Sequence, residues 1–361
     1  MFERLRAWIK DLFSRVSGLM SDDIGIDLGT ANTLVYVKGR GIVINEPSMV
    51  ALNQKTGQVV AVGAEAKLML GRTPSHIVAI QPLVDGVISD FEVTEEMLSY
   101  LIRKAQNDTS RLLGPRVVVG VPSGITSVEV RAVQDAARNA GAREVFIVEE
   151  PMAAAIGIRL PVKEPSGSMV IDIGGGTTDI GIISLGGIVS SKNVRIAGDR
   201  LNEDIINYIR NEFKILIGRK SAEDLKIAAA AVIEGEAPLE AAVRGRDLVT
   251  GLPREVIITD ADIREAIAGS IDQLVDAVKE VLETAPPEVV SDVMRRGIYL
   301  AGGGALIRGL SELLSETLGV PVYVSDDPLT AVVRGTGMIL EDIGNYNEAL
   351  ITQSHELSPT E

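Results

Sequence analysis

Two glycine-rich acidic turns hold the residues of this sequence best suited to chemistry: Asp27-Leu28-Gly29-Thr30 and Asp172-Ile173-Gly174-Gly175-Gly176-Thr177-Thr178-Asp179. Glycine lets backbone N–H groups approach phosphate oxygens with no side chain in the way. Thr30, Thr33, Thr177 and Thr178 add hydroxyls at the same loops. Asp27 and Asp172 end strand-like runs, where their carboxylates would be held firmly. Two carboxylates beside a polyphosphate repel it unless a magnesium ion with its water shell relieves the conflict. The implied ligand is a nucleotide, and a third turn, Ala301-Gly302-Gly303-Gly304-Ala305, would back its adenine or ribose. The lysine loop of P-loop enzymes is absent.

Hydrolysis of such a ligand needs a polar group that places water opposite the terminal phosphate. Glu150, just before Pro151 and a helical run, occupies a strand-to-helix junction of the right kind, and its neighbour Glu149 competes for the role. A solvated acidic cap is the plainer account of either residue.

The elements around these turns repeat. Ile24-Gly25-Ile26 leads into the first and Met169-Val170-Ile171 into the second. Leu34-Val35-Tyr36-Val37 and Ile180-Gly181-Ile182-Ile183 follow them. Strand, tight turn, strand, used twice, predicts two similar halves gripping one polyphosphate from opposite sides. Hairpins are expected over residues 22–50, a strand over 59–62 and a short helix over 64–70. The helix expected over 94–106 would be capped by Thr94, with Glu95 and Glu96 in its first turn. Next come a strand at 116–121, a helix at 127–139 closing on Gly141, a strand at 144–148 and a helix at 151–158. Residues 163–167 read as a connector. Beyond the second hairpin series the pattern predicts helices at 201–213, 222–231, 260–282, 306–318 and 330–340. Strands are expected at 254–258, 298–300 and 322–324, and a loose tail beyond Tyr346.

Composition excludes several classes. With 361 residues, 46% hydrophobic and 3% aromatic, the chain can bury a core and suits an α/β protein of two or more domains. It has no cysteine and only His76 and His355, so thiolate catalysis and a histidine metal cluster are not expected. A formal charge of -15 disfavours nucleic acid as a partner. No apolar run is long enough to cross a bilayer.

The first twenty residues form a unit of their own. Phe2, Leu5, Trp8, Ile9, Leu12 and Phe13 recur at helical spacing, with Arg4, Arg6, Lys10 and Arg15 mostly opposite. Such a helix can lie at a membrane surface, apolar side chains in the acyl boundary and cations on anionic headgroups. Docking onto its own body, or onto another copy, is the alternative. Charges interrupt the apolar core and no cleavage pattern follows, unlike an export signal.

Together these residues resemble the actin, sugar-kinase and heat-shock-chaperone ATPase superfamily. From Asp22 to about Gly344 the chain resembles the MreB family of bacterial actin homologues within it. The match rests on Asp27 through Thr33, Asn45-Glu46-Pro47-Ser48, Val148 through Gly157, Asp172 through Thr178, Gly198-Asp199 and Gly302 through Ala305. The resemblance implies an α/β, actin-like (ribonuclease H-like) fold, with duplicated domains around a nucleotide cleft and four subdomains. These would be residues 21–51, 85–163 and 334–350; 52–84; 164–200 and 265–333; and 201–264. The amphipathic segment 1–20 would precede them and a flexible tail, 351–361, would follow.

It implies ATP or ADP with Mg2+ as cofactors. The first phosphate loop would be Gly29, Thr30, Ala31, Asn32 and Thr33. The second would be Gly174, Gly175, Gly176 and Thr177, with Gly198 beside it. Gly302, Gly303, Gly304 and Ala305 would join Glu223 and Lys226 around the adenosine. Glu150 would polarise the attacking water and Thr177 would help orient it, while Asp27 and Asp172 would hold magnesium largely through water. One position departs from the family pattern: two residues after Lys226, where a glutamate is common, stands Ala228.

The implied function is a slow ATPase of cytoskeletal filaments that guide lateral cell-wall synthesis in a rod-shaped cell. The implied partners are other copies, joined head to tail and paired antiparallel, anionic lipids, and membrane proteins of the wall-elongation machinery. The implied location is the inner face of the cytoplasmic membrane, with Leu112 and Leu113 as a second lipid contact. The filament contact would be heterologous, because an isologous one closes into a dimer. A sugar or acetate kinase on the same fold is the enzyme alternative. A chaperone ATPase is disfavoured, since no peptide-binding domain follows.

Overall fold

The computed structural model describes residues 22–106, 114–235 and 237–351. The proposed lipid contacts Phe2, Leu5, Trp8, Ile9, Leu12, Phe13, Leu112 and Leu113 lie outside the described residues, as does the tail from residue 352. The chain forms two compact units, one taking residues up to Arg159 and from Val332 onward, the other Leu160–Ala331.

In the first unit, β1 (Ile24–Leu28), β2 (Asn32–Val37) and β3 (Gly41–Pro47) form an antiparallel meander. β4 (Val50–Asn53), β5 (Val59–Val62) and β6 (Ile77–Ile80) make a small separate sheet, joined by helix Ala64–Met69. β7 (Leu83–Val84) and β8 (Val87–Ile88) form a short hairpin. β9 (Arg116–Val121) and β10 (Glu144–Glu149) then add in parallel, giving the order β10-β9-β1-β2-β3. Buried Ile24, Ile26, Val117, Val119 and Val121 make the parallel strands almost continuously apolar, as expected where helices cover both faces. Helices Phe91–Ala105 and Ser127–Asn139 contribute Met97, Leu98, Leu101, Ala136 and Ala137 to that core. Helix Ala331–Glu341 belongs largely with this unit. It packs close because Gly335 and Gly25 carry no Cβ, which would lie 1.8 Å from the Ala153 carbonyl oxygen and 2.6 Å from Thr336 Oγ1 respectively.

The second unit repeats the plan. β11 (Ser168–Ile173), β12 (Thr178–Ser184) and β13 (Gly187–Val194) form a meander, and β17 (Ile298–Ala301) and β18 (Val322–Val324) add in parallel. The order β13-β12-β11-β17-β18 matches that of the first sheet, strand for strand. The insertion between them holds β14 (Ile215–Leu216), β15 (Glu240–Asp247) and β16 (Pro253–Thr259), with helices Gly198–Glu212, Arg219–Ala229 and Asp260–Thr284. Helix Pro287–Arg296 precedes β17, and helix Leu310–Leu318 lies in the β17–β18 crossover. Each fully buried Ile or Leu of this core, such as Ile171, Ile267 or Leu300, contributes about 1.5–3 kcal/mol.

Several boundaries differ from the sequence expectation. Helix Phe91–Ala105 is capped by Asp90, whose carboxylate accepts from Val93 N at 3.1 Å, and not by Thr94. Thr94 is buried inside the first turn and donates its hydroxyl to the Asp90 carbonyl at 2.7 Å. A carboxylate also meets the positive end of the helix dipole, which a threonine does not. The helix expected from Leu306 starts at Leu310, after the 3-10 turn Gly303–Leu306 and the left-handed Gly309. The chain beyond Tyr346 is not loose as far as Ile351, whose N–H donates to the Ile147 carbonyl at 2.9 Å.

Candidate functional site

In the first unit, register brings the predicted residues to one edge. β1 and β9 run parallel with Asp27 level with Gly120, and β10 sets Val148 against the same Gly120. The carboxyl ends of parallel strands are where α/β sheets bind ligands. Glu150 opens helix Glu150–Gly157 directly after β10 and is 9% exposed. Glu150 lies beside Gly120, where an added Cβ would sit 3.8 Å from Glu150 Cγ and 3.0 Å from Val332 Cγ1. Glu149 faces elsewhere, its carboxylate accepting from Gly124 N at 3.4 Å. Burial raises the Glu149 pKa, and bonds from Gly124 and Ser123 partly offset that. Burial also pushes the Asp27 carboxyl up to about 7.

The first turn is tight. A Cβ on Gly29 would lie 2.7 Å from the Asn32 carbonyl oxygen. Ala31 and Asn32 are exposed at its tip. Two hydroxyls expected at the ligand bond the fold: Thr30 Oγ1 accepts from Gly86 N at 3.0 Å, and Thr33, fully buried, bonds Ser48 Oγ at 2.8 Å. Thr178 is likewise fully buried and donates to the Ile196 carbonyl at 2.6 Å. Side-chain direction at a turn is set by partners distant in sequence, so spacing alone does not reveal it.

The second unit gathers more of the predicted set. Asp172 lies level with Ala301 of β17. The turn after it is closed by Gly174 N donating to the Thr177 carbonyl at 2.9 Å. Helix Gly198–Glu212 begins on that turn, three residues earlier than the pattern implied: Gly198 N donates to Gly174 O at 3.1 Å and Asp199 N to Gly175 O at 2.8 Å. Lys226 Nζ donates to Gly198 O at 2.9 Å and to Glu223 Oε2 at 2.8 Å, and Asn202 Nδ2 holds the same Oε2 at 2.7 Å. The third turn packs on the second, since a Cβ on Gly302 would lie 2.5 Å from Asp172 Oδ1 and 2.3 Å from Ile173 O. Gly303, Gly304 and Ala305 continue from there as a 3-10 turn. Ala228 is exposed on the helix that carries Glu223 and Lys226.

Asp199 sits in the same cluster. Burial raises its pKa, Arg219 and Lys226 pull it down, and Glu223 and Glu203 push it up. Sequence reasoning overlooked Ser48 and Asn202 as supports. Asn202 lies one helical turn after Gly198, a spacing that places both on one face. Among the described residues no group of three acidic or histidine side chains gathers around a common metal position. None of their helices is long and apolar enough to cross a membrane.

Two matched five-stranded sheets with glycine turns at equivalent strand ends define the actin-like fold. MreB5 of Spiroplasma citri bound to ADP shares it at TM-score 0.86 and 39% identity, covering 91% of this chain and 98% of that one. The same protein bound to AMPPNP superimposes at 0.85. A MamK double helical filament, 24% identical, shares the fold at 0.77.

The MreB/Mbl protein family model matches residues 21–348. Cell shape-determining protein MreB of Escherichia coli K12 is 50% identical over 346 residues, 95% of this chain and 100% of the relative. Cell shape-determining protein Mbl of Bacillus subtilis is 50% identical over 325 residues, 90% of this chain and 97% of the relative. The chain belongs to the MreB/Mbl family.

Proposed function

We propose that this chain is an ATP-dependent, membrane-associated cytoskeletal filament protein that organises lateral cell-wall synthesis and maintains rod cell shape, hydrolysing ATP slowly. The observation that carries the reading is the recurrence of one acidic glycine turn, at Asp27 and at Asp172, on two sheets of identical strand order. It occurs in a chain half-identical to proteins named as cell shape-determining. The MreB5 structures with ADP and AMPPNP support a nucleotide as the ligand.

In this reading both turns serve one ATP. Backbone N–H groups within Gly29–Thr33 and Gly174–Thr177, other than that of Gly174, which closes its own turn, take the phosphates, and Gly198, Glu223, Lys226 and Gly302–Ala305 take the nucleoside. Glu150 accepts a hydrogen bond from the attacking water and Thr177 orients it. As water adds to the γ-phosphorus, the bond to the β–γ bridging oxygen breaks, ADP leaves with that electron pair, and the water's protons end on inorganic phosphate and solvent. Oxygen-only donors on strand ends suit Mg2+, which keeps several waters and takes one or two carboxylates. Asp27 fits this role because a cation would offset the burial that disfavours its charge. Mg2+ would neutralise phosphate charge when bound.

Filaments form head to tail and pair antiparallel. Residues Phe2 to Phe13 and the Leu112–Leu113 pair hold them on anionic lipid at the inner face of the cytoplasmic membrane. One such segment binds weakly, and an array along a filament binds by avidity. Wall-elongation membrane proteins are the remaining partners. Electron microscopy of the ATP-incubated chain on anionic liposomes tests this. Double filaments on lipid, lost when residues 1–16 are removed, are expected; no filaments under any nucleotide condition would refute it.

A further inference from the structure

Ser48 ends the Asn45-Glu46-Pro47-Ser48 motif, whose role the nucleotide reading leaves open. It is 1% exposed and makes three bonds to the first glycine turn, which lies well before it in sequence. Its hydroxyl donates to the Gly29 carbonyl at 2.5 Å, and its N–H donates to the Ala31 carbonyl at 3.0 Å. Because the Ser48 proton is committed to Gly29, the 2.8 Å contact with Thr33 is a donation from the Thr33 hydroxyl to Ser48 Oγ. Thr33 O–H, Ser48 O–H and the Gly29 carbonyl therefore form one relay, in which each bond polarises the next.

The consequence follows from the planar trans peptide. A carbonyl and the N–H of the next residue point in opposite directions across the same unit. Ser48 draws the Gly29 and Ala31 carbonyls to its own side, so the N–H groups of Thr30 and Asn32 are turned the other way. Backbone N–H groups of a turn that face one direction can receive an anion. We propose that Ser48 is a positioning residue for phosphate: by pinning the Gly29 and Ala31 carbonyls, it aims the Thr30 and Asn32 amides at the ligand's phosphate oxygens. The Thr33 hydroxyl acts behind it and touches no ligand. This rests on the nucleotide reading above and assigns the motif a part in it.

The test compares the full chain with Ser48→Ala and Thr33→Val, using MgADP and adenosine as probes in equilibrium binding, with thermal melting as a control for folding. The Ser48→Ala chain is expected to melt close to the parent and to bind MgADP about tenfold more weakly, a loss of about 1.4 kcal/mol. Its adenosine affinity should be unchanged, because adenosine carries no phosphate. Thr33→Val should lose less, and the double variant no more than Ser48→Ala alone, as expected for members of one relay. Equal losses for MgADP and adenosine would overturn the proposal, as would MgADP affinity indifferent to Ser48→Ala. Additive losses in the double variant would place Thr33 on the ligand and overturn it too. A parent chain that binds neither probe would instead sink the nucleotide reading itself, and this inference with it.

Discussion

The Lys226 ammonium donates to the Gly198 carbonyl at 2.9 Å, tying helix Arg219–Ala229 to the start of the helix that rests on the second glycine turn. Gly198 N in turn bonds Gly174 O, so the lysine acts on the turn through one intermediate. Lys226→Met keeps the stem's length and removes the charge. MgADP affinity should fall about tenfold, with a melting temperature within a few degrees of the parent, since a charged hydrogen bond is worth about 1.5–3 kcal/mol. Fluorescence titration with a labelled ADP would read this.

Gly302 is held at φ +76° with no room for a methyl group beside Asp172. Gly302→Ala adds both backbone strain and a collision with the Ile173 carbonyl. Destabilisation of about 1–3 kcal/mol is expected from strain alone. The variant should also lose MgADP affinity, as Asp172 is displaced. Urea unfolding followed by nucleotide titration separates the two effects.

Glu150 and Glu149 divide by direction. Glu149 is engaged by the loop at Gly124, whereas Glu150 lies against Gly120, level with Asp27. Glu150→Gln should lower phosphate release about 100-fold or more while leaving MgATP affinity within a factor of about three. Glu149→Gln should change turnover little. The reverse ranking in a phosphate-release assay would exchange their roles.

Asp27 has a folded-state pKa of about 7 against an ordinary value of 3.8, the cause being burial. Between those values the folded chain keeps a proton that the unfolded chain has lost. Metal-free stability therefore falls as pH rises through that window, and the cost is complete above about 7. Asp27→Asn abolishes this cost. Without metal or nucleotide, the variant should melt above the parent at about pH 8, with the gap closing toward pH 4. A gap that widens on acidification would contradict the assignment.

The turns were legible because glycine and aspartate at a strand end have few other uses, and because the pattern occurs twice. The supports were not. Ser48 is an unremarkable hydroxyl until β3 brings it back onto the first turn, and Asn202 matters only because Glu223 lies across from it. Strand Glu240–Asp247 went unread, since Glu240-Ala241-Ala242-Val243-Arg244-Gly245 carries little β-branched character and relies on pairing with β16. Helix Pro287–Arg296 went unread as well; it buries only Val293 fully. Local residues set the turns, while tertiary contacts decided which of their side chains are bonded into the fold.

Counting nucleotides per chain tests most directly the proposal that both turns serve one ligand. Equilibrium binding of labelled ATP with Mg2+ should saturate at one molecule per chain. Asp27→Asn and Asp172→Asn should each weaken that single site, although they belong to different units. Two molecules per chain, or one whose affinity ignores either substitution, would show that the two turns do not serve a common ligand.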